Sequence, residues 1–238
     1  MLSLIVPAFN EADNLRRYPG ELFPVLAGLD VPSEVIVVDD GSTDATPTVA
    51  ASLGAPVRVV AHPRNLGLGA AVRTGIAEAR GDLLVTIDAD LTFAPTLIPK
   101  LLERFRKGDV DVVAGSPKLA GYASDVPRYR IIVSHASTLV YSSLLGMKVT
   151  AVTPILRLYR VADLRELTLE SVGFDINAEI LFGLIRKGRR VAEIPAPLTQ
   201  RLHGESHLDY PREVRRHLRL VRKMVSWRLG LSGRSASI

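Results

Sequence analysis

Two carboxylates two residues apart close an apolar run: Leu83-Leu84-Val85-Thr86-Ile87 leads into Asp88-Ala89-Asp90. A second run, Val35 to Val38, ends in Asp39-Asp40. Alternate side chains of a strand share a face, so Asp88 and Asp90 are expected to point the same way, with small Ala89 between them. Like charges that close repel, and they settle only around a divalent cation or a shared proton. A run of this length between the turn signal Gly81-Asp82 and a polar stop reads as a strand buried on both faces, as in a parallel sheet. Ligands of such sheets bind beyond the carboxyl ends of the strands, where both acidic pairs should lie. The expectation is a metal site for a phosphorylated substrate, with Asp88 and Asp90 as metal ligands. The bland alternative is two solvated aspartates opening a loop.

Three chemistries compete for these residues. A haloacid-dehalogenase-type phosphatase also ends an apolar strand in Asp-x-Asp, the first carboxylate as nucleophile and the second as general acid. It needs that strand early in the chain and further acids downstream, whereas here the second pair lies upstream. A dinucleotide site would use Gly67-x-Gly69-x-x-Val72, but valine in place of the third glycine crowds the helix against the strand, and Asp39, Asp40 and Asp90 go unused. The third reading uses every feature. Successive strand ends bring Pro7 to Glu11, Asp39-Asp40, Arg64 to Gly67 and Asp88 to Asp90 to one edge of a sheet. There Asp39 can accept the imide N–H of uracil or the amide and amine of guanine, and Asp90 with a divalent ion can hold a diphosphate. That is a nucleoside-diphosphate-sugar site.

The elements that must carry these residues follow from pattern. Leu2 to Pro7, Glu34 to Val38, Val57 to Val60, the Asp88 run and Asp111 to Gly115 read as strands. Between them lie a helix capped by Asn10 or Asp13, one through about Leu53, one from Asn65-Leu66-Gly67 to Ala79, and one from Pro95 to Lys107. This alternation predicts an α/β, Rossmann-like three-layer sandwich with a mainly parallel central sheet. Beyond Ser116 the character changes: 121–129 is loop-like, 130–145 apolar and serine-bearing, Ile155 to Tyr159 a strand, Phe174 to Lys187 a helix and Arg190 to Ile194 a strand. The expected organisation is one domain over 1–210, with 1–115 as the donor half and 116–210 as the acceptor half. A basic helix over 211–229 and a disordered tail over 230–238 follow.

The 238 residues are 47% hydrophobic and 23% charged, enough to bury a large core. There is no cysteine, which excludes disulfides and thiolate chemistry. No run reaches the roughly 18 to 20 apolar residues of a spanning helix. The N-terminus meets Pro7 without a basic leader and reads as a strand, so the expected location is cytoplasmic. The net charge of +5 suggests anionic partners other than nucleic acid. It concentrates in 212–228, where Arg212, Arg215, Arg216, Arg219, Arg222, Lys223 and Arg228 face the single acid Glu213. Val214, Leu218, Val221, Met224 or Val225, and Trp227 add apolar residues at helical spacing. Such a helix either lies in an anionic membrane interface or packs its apolar face on the domain and solvates its arginines.

Four linked stretches, Ile5-Val6-Pro7-Ala8-Phe9-Asn10-Glu11, Val37-Val38-Asp39-Asp40-Gly41-Ser42-Thr43-Asp44, Arg64-Asn65-Leu66-Gly67 and Asp88-Ala89-Asp90-Leu91, resemble the family 2 glycosyltransferases of GT-A fold. Later stretches, Asp111 to Ser116, Arg157 to Arg160, Phe174 to Glu179 and Arg201-x-x-Gly204-x-Ser206, are similar to the dolichol- or polyprenyl-phosphate mannosyl and glucosyl synthases. The resemblance implies inverting transfer of a hexose from a donor of the GDP-mannose or UDP-glucose type to a lipid phosphate, assisted by Mg2+ or Mn2+. The implied donor set is Pro7, Ala8, Asn10, Glu11, Asp39, Asp40, Arg64, Gly67, Asp88 and Ala89. The implied catalytic set is Asp88, Asp90, Glu179 and Arg201, and the acceptor set Lys118, Arg128, Arg130, Arg157, Arg201, Ser206 and His207.

A phosphate acceptor needs no general base; a hydroxyl acceptor would, and Asp175 or Glu179 is the candidate. The chain departs from the branch at Pro117, where arginine is usual, at Thr92 and His207, and over Val152-Thr153-Pro154-Ile155-Leu156, where an acidic, glycine-containing stretch is usual. All four departures fall on the acceptor and diphosphate side. They keep two alternatives open: transfer to a soluble hydroxyl acceptor, and a non-catalytic sugar-nucleotide-binding subunit.

Overall fold

In a computed structural model, which describes residues 1–121, 138–199, 201–202 and 210–229, the alternation of strands and helices builds a seven-stranded sheet. The strands are β1 (Leu2–Ala8), β2 (Ser33–Asp39), β3 (Val57–Ala61), β4 (Leu83–Thr86), β5 (Val112–Ser116), β6 (Arg157–Arg160) and β7 (Val191–Pro195), in the order β3-β2-β1-β4-β6-β5-β7. β1 pairs in parallel with β2 and β4, β2 with β3, and β5 with β7; β6 runs antiparallel between β4 and β5. The sheet is therefore mainly parallel, as the pattern predicts.

Both faces of the sheet are covered, and the two-residue period of the strands assigns each side chain. Leu4 and Val6 of β1, and Val35 and Val37 of β2, join one core, together with Leu97, Ile98, Leu101 and Leu102 of the helix Leu97–Arg106. Ile5, Ile36 and Val38 join the opposite core against Ala71, Val72 and Ile76 of the helix Leu68–Glu78 and Ile176, Ile180 and Leu184 of the helix Ile176–Arg186. Gly75 lies over Ile5, and a Cβ there would come within 2.8 Å of Ile5 Cδ1, so the helix owes its close approach to the missing side chain.

Helices are numbered in chain order. The expected first helix is instead three short turns, α1 (Ala12–Leu15), α2 (Tyr18–Glu21) and α3 (Phe23–Ala27), because Pro19 and Pro24 each start a new turn. Neither Asn10 nor Asp13 caps it. Asn10 sits at φ 57° with its side-chain oxygen accepting the Thr43 N–H at 2.8 Å. α4 (Thr46–Ser52), α5 (Leu68–Glu78), α6 (Leu97–Arg106), α7 (Pro117–Ala120), α8 (Val161–Arg165) and α9 (Ile176–Arg186) follow.

The basic segment is a single helix, α10 (Tyr210–Arg228). Leu220 and Met224 are buried with Tyr141, Val149, Leu181 and Phe182, and Trp227 stacks on Phe182 with ring centroids 5.4 Å apart. One face of α10 thus packs on the domain. Its other side exposes Val214, Leu218 and Val225, with Leu229 just beyond. The segment 230–238 lies outside the described residues.

Candidate active site

The carboxyl ends of β1, β2 and β4 open on one side of the sheet, and each is followed by a turn that its own sequence fixes. β2 passes into Asp40, whose N–H donates to Ala8 O at 2.8 Å and ties it to β1. The Asp40 carboxylate accepts the N–H groups of Leu66 at 2.9 Å and Gly67 at 2.8 Å, and meets His62 Nδ1 at 2.7 Å. Asp40 therefore shapes the 65–67 loop, and its oxygens are committed to that work. Gly41, at φ 72°, lies against the Arg64 backbone, where a Cβ would come within 2.6 Å of Asn65 N.

Gly67 and Gly69 have a different role from the one a glycine fingerprint suggests. A Cβ on either would collide with the carbonyl of Val172 or Ser171, and the Gly69 N–H donates to Val172 O at 3.0 Å. These glycines admit the 171–173 segment ahead of α9 over the start of α5. The donor half and the later chain are locked together at that point.

β4 stops at Thr86, earlier than the apolar run suggests. After the Ile87 N–H has donated to Ile5 O the ladder ends, and the chain turns, with Leu91 at φ 55°. Turn geometry, not strand alternation, brings Asp88 and Asp90 together. Arg17 Nη1 donates to Asp90 O at 2.9 Å and the Tyr18 hydroxyl to Ala89 O at 3.2 Å, bracing the turn from α2 and the residue before it. Asp90 Oδ1 accepts the Thr92 N–H and Oδ2 pairs with Arg201 Nε at 2.6 Å. Arg201 also reaches Glu11 at 3.4 Å. Asp88 borders the open space; enclosure by protein, together with the negative charges of Asp90 and Glu11, pushes its carboxyl up to about 7 against the pull of Arg201.

Two cavities meet at Asp88. The first, of about 530 Å³, is lined by Pro7, Ala8, Glu11, Asp40, Gly67, Asp88, Ala89 and Arg201, all expected from sequence. It also takes in Phe174 and, from α10, Arg212, Glu213 and Arg216, none of which sequence reasoning placed there. The second, of about 380 Å³, has walls of Phe93, Pro154, Ile155, Phe174, Leu198 and Val214, with Thr153, Glu213 and His217 beside Asp88. The stretch 152–156, where the sequence departs from its expected relatives, supplies part of that apolar wall. His217 is held by the Tyr141 hydroxyl on Nδ1 at 2.6 Å, and burial keeps its pKa below the ordinary histidine value.

The other expected site residues divide into supports and corrections. Asn10 orders the Thr43 turn, and Asp39 gives one oxygen to the Ser42 N–H at 3.1 Å. Arg64 is exposed beside Gly41, and Lys118 sits on α7 outside both cavities. Arg157, expected at the acceptor, is fully buried and donates to the carbonyls of Ala151, Val152 and Asn177, so it builds the core. Glu179, expected to be catalytic, is buried outside both cavities. It accepts the N–H groups of Glu170 at 2.9 Å and Ser171 at 2.8 Å, and Lys223 of α10 at 3.3 Å. Asp175 likewise accepts the Gly173 N–H at 3.0 Å. Arg128, Arg130, Ser206 and His207 lie outside the described residues.

Replacing Glu179 with glutamine is accordingly expected to lower the melting temperature by several degrees, since the amide oxygen can keep both N–H groups that Oε2 accepts but the Lys223 ion pair is lost and an amide N–H2 faces the ammonium instead. At a temperature well below melting, kcat should stay within about threefold. A kinetic loss of about a hundredfold with an unchanged melting curve would restore Glu179 to the chemistry.

A family model described as glycosyl transferase family 2 matches residues 3–168. The dolichol-phosphate mannosyltransferase of Pyrococcus furiosus is 33% identical over 233 residues, 95% of this chain and 64% of that protein. The undecaprenyl-phosphate mannosyltransferase of Micrococcus luteus is 33% identical over 215 residues, 86% of each. Among solved structures, glucosyl-3-phosphoglycerate synthase from Mycobacterium tuberculosis, in complex with Mn2+, uridine diphosphate and glucosyl-3-phosphoglycerate, superposes with a TM-score of 0.72 at 22% identity. That superposition covers 97% of this chain and 80% of the synthase, and it establishes the GT-A arrangement of the sheet. The chain thus spans about 64% of the length of the archaeal relative.

Proposed function

The chain belongs to glycosyl transferase family 2, and from that membership we propose that it transfers a hexose from a nucleoside-diphosphate sugar to a polyprenyl phosphate, inverting the anomeric centre with Mg2+ or Mn2+ at the donor diphosphate. The observation that carries this reading is the meeting of a polar and an apolar cavity at two carboxylates, Asp88 and Glu213, of which Asp88 closes the acidic turn after β4. A sugar nucleotide suits the first cavity, with its backbone-lined floor at Pro7, Ala8 and the Gly67 loop. An isoprenoid beside its phosphate suits the second. The two relatives described above are named for mannosyl transfer and a third, 29% identical, for a galacturonate product, each on a polyprenyl phosphate, which supports that acceptor class.

The residues present fit a divalent ion. Asp88 is a partly exposed carboxylate whose ionised form the surrounding protein disfavours, and a cation beside it would reverse that penalty. No group of three or more His, Asp or Glu among the described residues is placed to hold a metal alone. Two carboxylates, with diphosphate oxygens and water completing the shell, is the donor set that remains, and it matches the habit of Mg2+ at phosphate sites. When bound, the ion would act as a Lewis acid on the departing diphosphate.

The chain's own residues supply the rest. Asp88 would hold the ion, Asp90 would join it once Oδ2 leaves Arg201, and the Gly67 loop would position the nucleotide. An acceptor phosphate oxygen attacks the anomeric carbon while the bond to the diphosphate breaks. The electron pair leaves with the nucleoside diphosphate, and the ionised acceptor has no proton to lose. Apolar walls around the second cavity exclude competing water.

α10 supports a membrane location for this transfer. Leu218, Val225 and Leu229 recur at helical spacing on the side turned away from the domain, with Val214 at the rim of the second cavity and exposed Arg215, Arg219 and Arg222 beside them. No helix of the described residues is long and apolar enough to cross a membrane. Replacing Leu218 and Val225 with aspartate should abolish flotation with vesicles containing phosphatidylglycerol while leaving the melting temperature within about 2 °C. Unchanged flotation at low and high salt would remove α10 as the anchor. Deleting the helix is the poorer experiment, because it removes a wall of both cavities.

Incubation with a panel of radiolabelled UDP- and GDP-sugars, Mn2+ and a polyprenyl phosphate tests the reaction itself. The label is expected in the organic phase, dependent on metal and on the phosphate of the acceptor. Label that stays aqueous as a new glycoside would place the acceptor among soluble hydroxyl compounds. Nucleotide binding without transfer from any donor would make the chain a binding subunit.

A further inference from the structure

We propose that His217 of α10, held by Tyr141, presents its Nε2–H to an oxygen of the acceptor phosphate in the second cavity, as a hydrogen-bond donor and not as a base. The inference rests on the reaction proposed above. It adds a residue that touches the acceptor, and a reason for that acceptor to arrive already ionised.

The network around the imidazole decides which ring nitrogen carries hydrogen. Tyr141, in the segment 138–145, is buried with Leu220 and Met224 of α10. Its hydroxyl meets His217 Nδ1 at 2.6 Å and has no other hydrogen-bond partner among the described residues. Burial and the nearby charge of Asp175 push the phenol's pKa up, so the proton stays on it. A buried phenol that accepted an Nδ1–H would leave its own O–H without an acceptor, which is costly. The hydroxyl therefore donates, Nδ1 accepts, and the neutral ring bears its hydrogen at Nε2. Protonation of the ring would add a hydrogen at Nδ1 and leave Nε2–H as it is. The cavity meets a donor in either state.

Nε2 has no partner among the described residues, and it is not one of the buried polar atoms left unsatisfied. It opens on the second cavity, which His217 lines with Thr153, Glu213 and Asp88 among apolar walls. Two of these polar groups are already engaged. Glu213 accepts the Phe174 N–H at 3.0 Å and pairs with Arg216, and Asp88 belongs to the ion in the proposed reaction. An N–H donor in such a wall suits an oxyanion whose hydrocarbon tail lies against Phe93, Ile155 and Leu198. A hydroxyl acceptor would need a lone pair on this nitrogen to take its proton, and Nε2 has none to give.

Calorimetry with a short-chain prenyl phosphate, against the matching prenol and against UDP and GDP in Mn2+, reads the contact. His217→Leu is expected to weaken the prenyl phosphate about tenfold, as loss of a hydrogen bond to a charged group implies, and to leave the prenol and the nucleotides within about twofold. His217→Gln places an amide N–H2 close to where Nε2 stands and should recover most of the loss. Nitrogen-15 NMR of the wild type at pH 8, with the His217 ring assigned through its contact with the Tyr141 ring, should show the hydrogen at Nε2. Tyr141→Phe should release the ring to a mixture of tautomers.

Prenyl-phosphate affinity that His217→Leu leaves unchanged, with a native melting curve, overturns the proposal and leaves the reaction standing. An equal loss for the prenol, or a glutamine variant that binds no better than the leucine one, would make His217 a packing residue and overturn it as well. A wild-type ring with its hydrogen at Nδ1 overturns it without any variant, so the test survives poor folding of the His217 variants. Wild-type protein that binds prenyl phosphate through His217 and moves no sugar onto it would instead refute the reaction proposed above and keep this contact.

Discussion

Asp88→Asn is expected to lower kcat/KM by about a thousandfold and to abolish the metal dependence of nucleotide binding, with the fold intact. Asparagine has the same shape and cannot supply the negative charge that a cation on the leaving diphosphate requires. The same carboxylate gives the apo protein a pH signature. Its pKa is raised from the ordinary 3.8 to about 7, so the folded state holds this proton more tightly than the unfolded chain does. Stability from this group is fully present below about pH 4 and is lost as pH rises through about 7, with roughly 4 kcal/mol at stake. Asp88→Asn should remove that slope, leaving the variant more stable than the wild type at pH 8 without metal. Mn2+ should stabilise the wild type more at pH 8 than at pH 5 and leave the variant unmoved. An apo melting temperature that does not differ between wild type and variant from pH 5 to 8 would contradict the environment described for Asp88.

The largest stability effect is expected at Arg157. A fully buried guanidinium bonded to three carbonyls, from Ala151, Val152 and Asn177, ties the 151–156 segment to α9. Arg157→Ala leaves those carbonyls without donors and opens a cavity, at a cost of about 3–5 kcal/mol. Arg157→Met fills the volume and should recover part of the loss. Chemical denaturation at 25 °C reads both. If Arg157 held the acceptor, Arg157→Ala would instead raise the acceptor KM with the denaturation midpoint unchanged.

These two residues mark how far the sequence could be read. Asp88 stood at the end of an apolar run, and a run that stops in carboxylates has few uses, so its place at a strand tip was legible. The same holds for Pro7, Glu11, Asp40 and Gly67, which follow strand ends whose alternation fixes which side they open on. The burial of Arg157 was not legible, because it depends on carbonyls elsewhere in the chain, and no local pattern marks them. The burial of Glu179 was hidden for the same reason: its partners at 170, 171 and 223 converge only in three dimensions.

The role of α10 in the site was hidden more deeply. Its arginines look alike in sequence, and only packing separates Arg212 and Arg216, which border the cavity, from Arg215, Arg219 and Arg222, which face solvent. One signal was available. Gly173 directly precedes an apolar residue at the start of a predicted helix, a place where a missing side chain suggests close approach of another element. The strand that was expected to reach Asp90 ended at Thr86, opposite Arg157 where β6 begins, while β1 went on to Ala8 against β2 alone, and length of an apolar run does not report that.

The most direct measurement is a manganese titration followed by electron paramagnetic resonance, with and without UDP or GDP. The wild-type protein should hold one Mn2+ far more tightly when the nucleotide is present, and the bound ion should show coupling to phosphorus. Asp88→Asn combined with Asp90→Asn should lose that signal. Nucleotide that binds equally well in EDTA, or Mn2+ that the double variant retains with unaltered affinity, would contradict a cation held between these aspartates and the departing diphosphate.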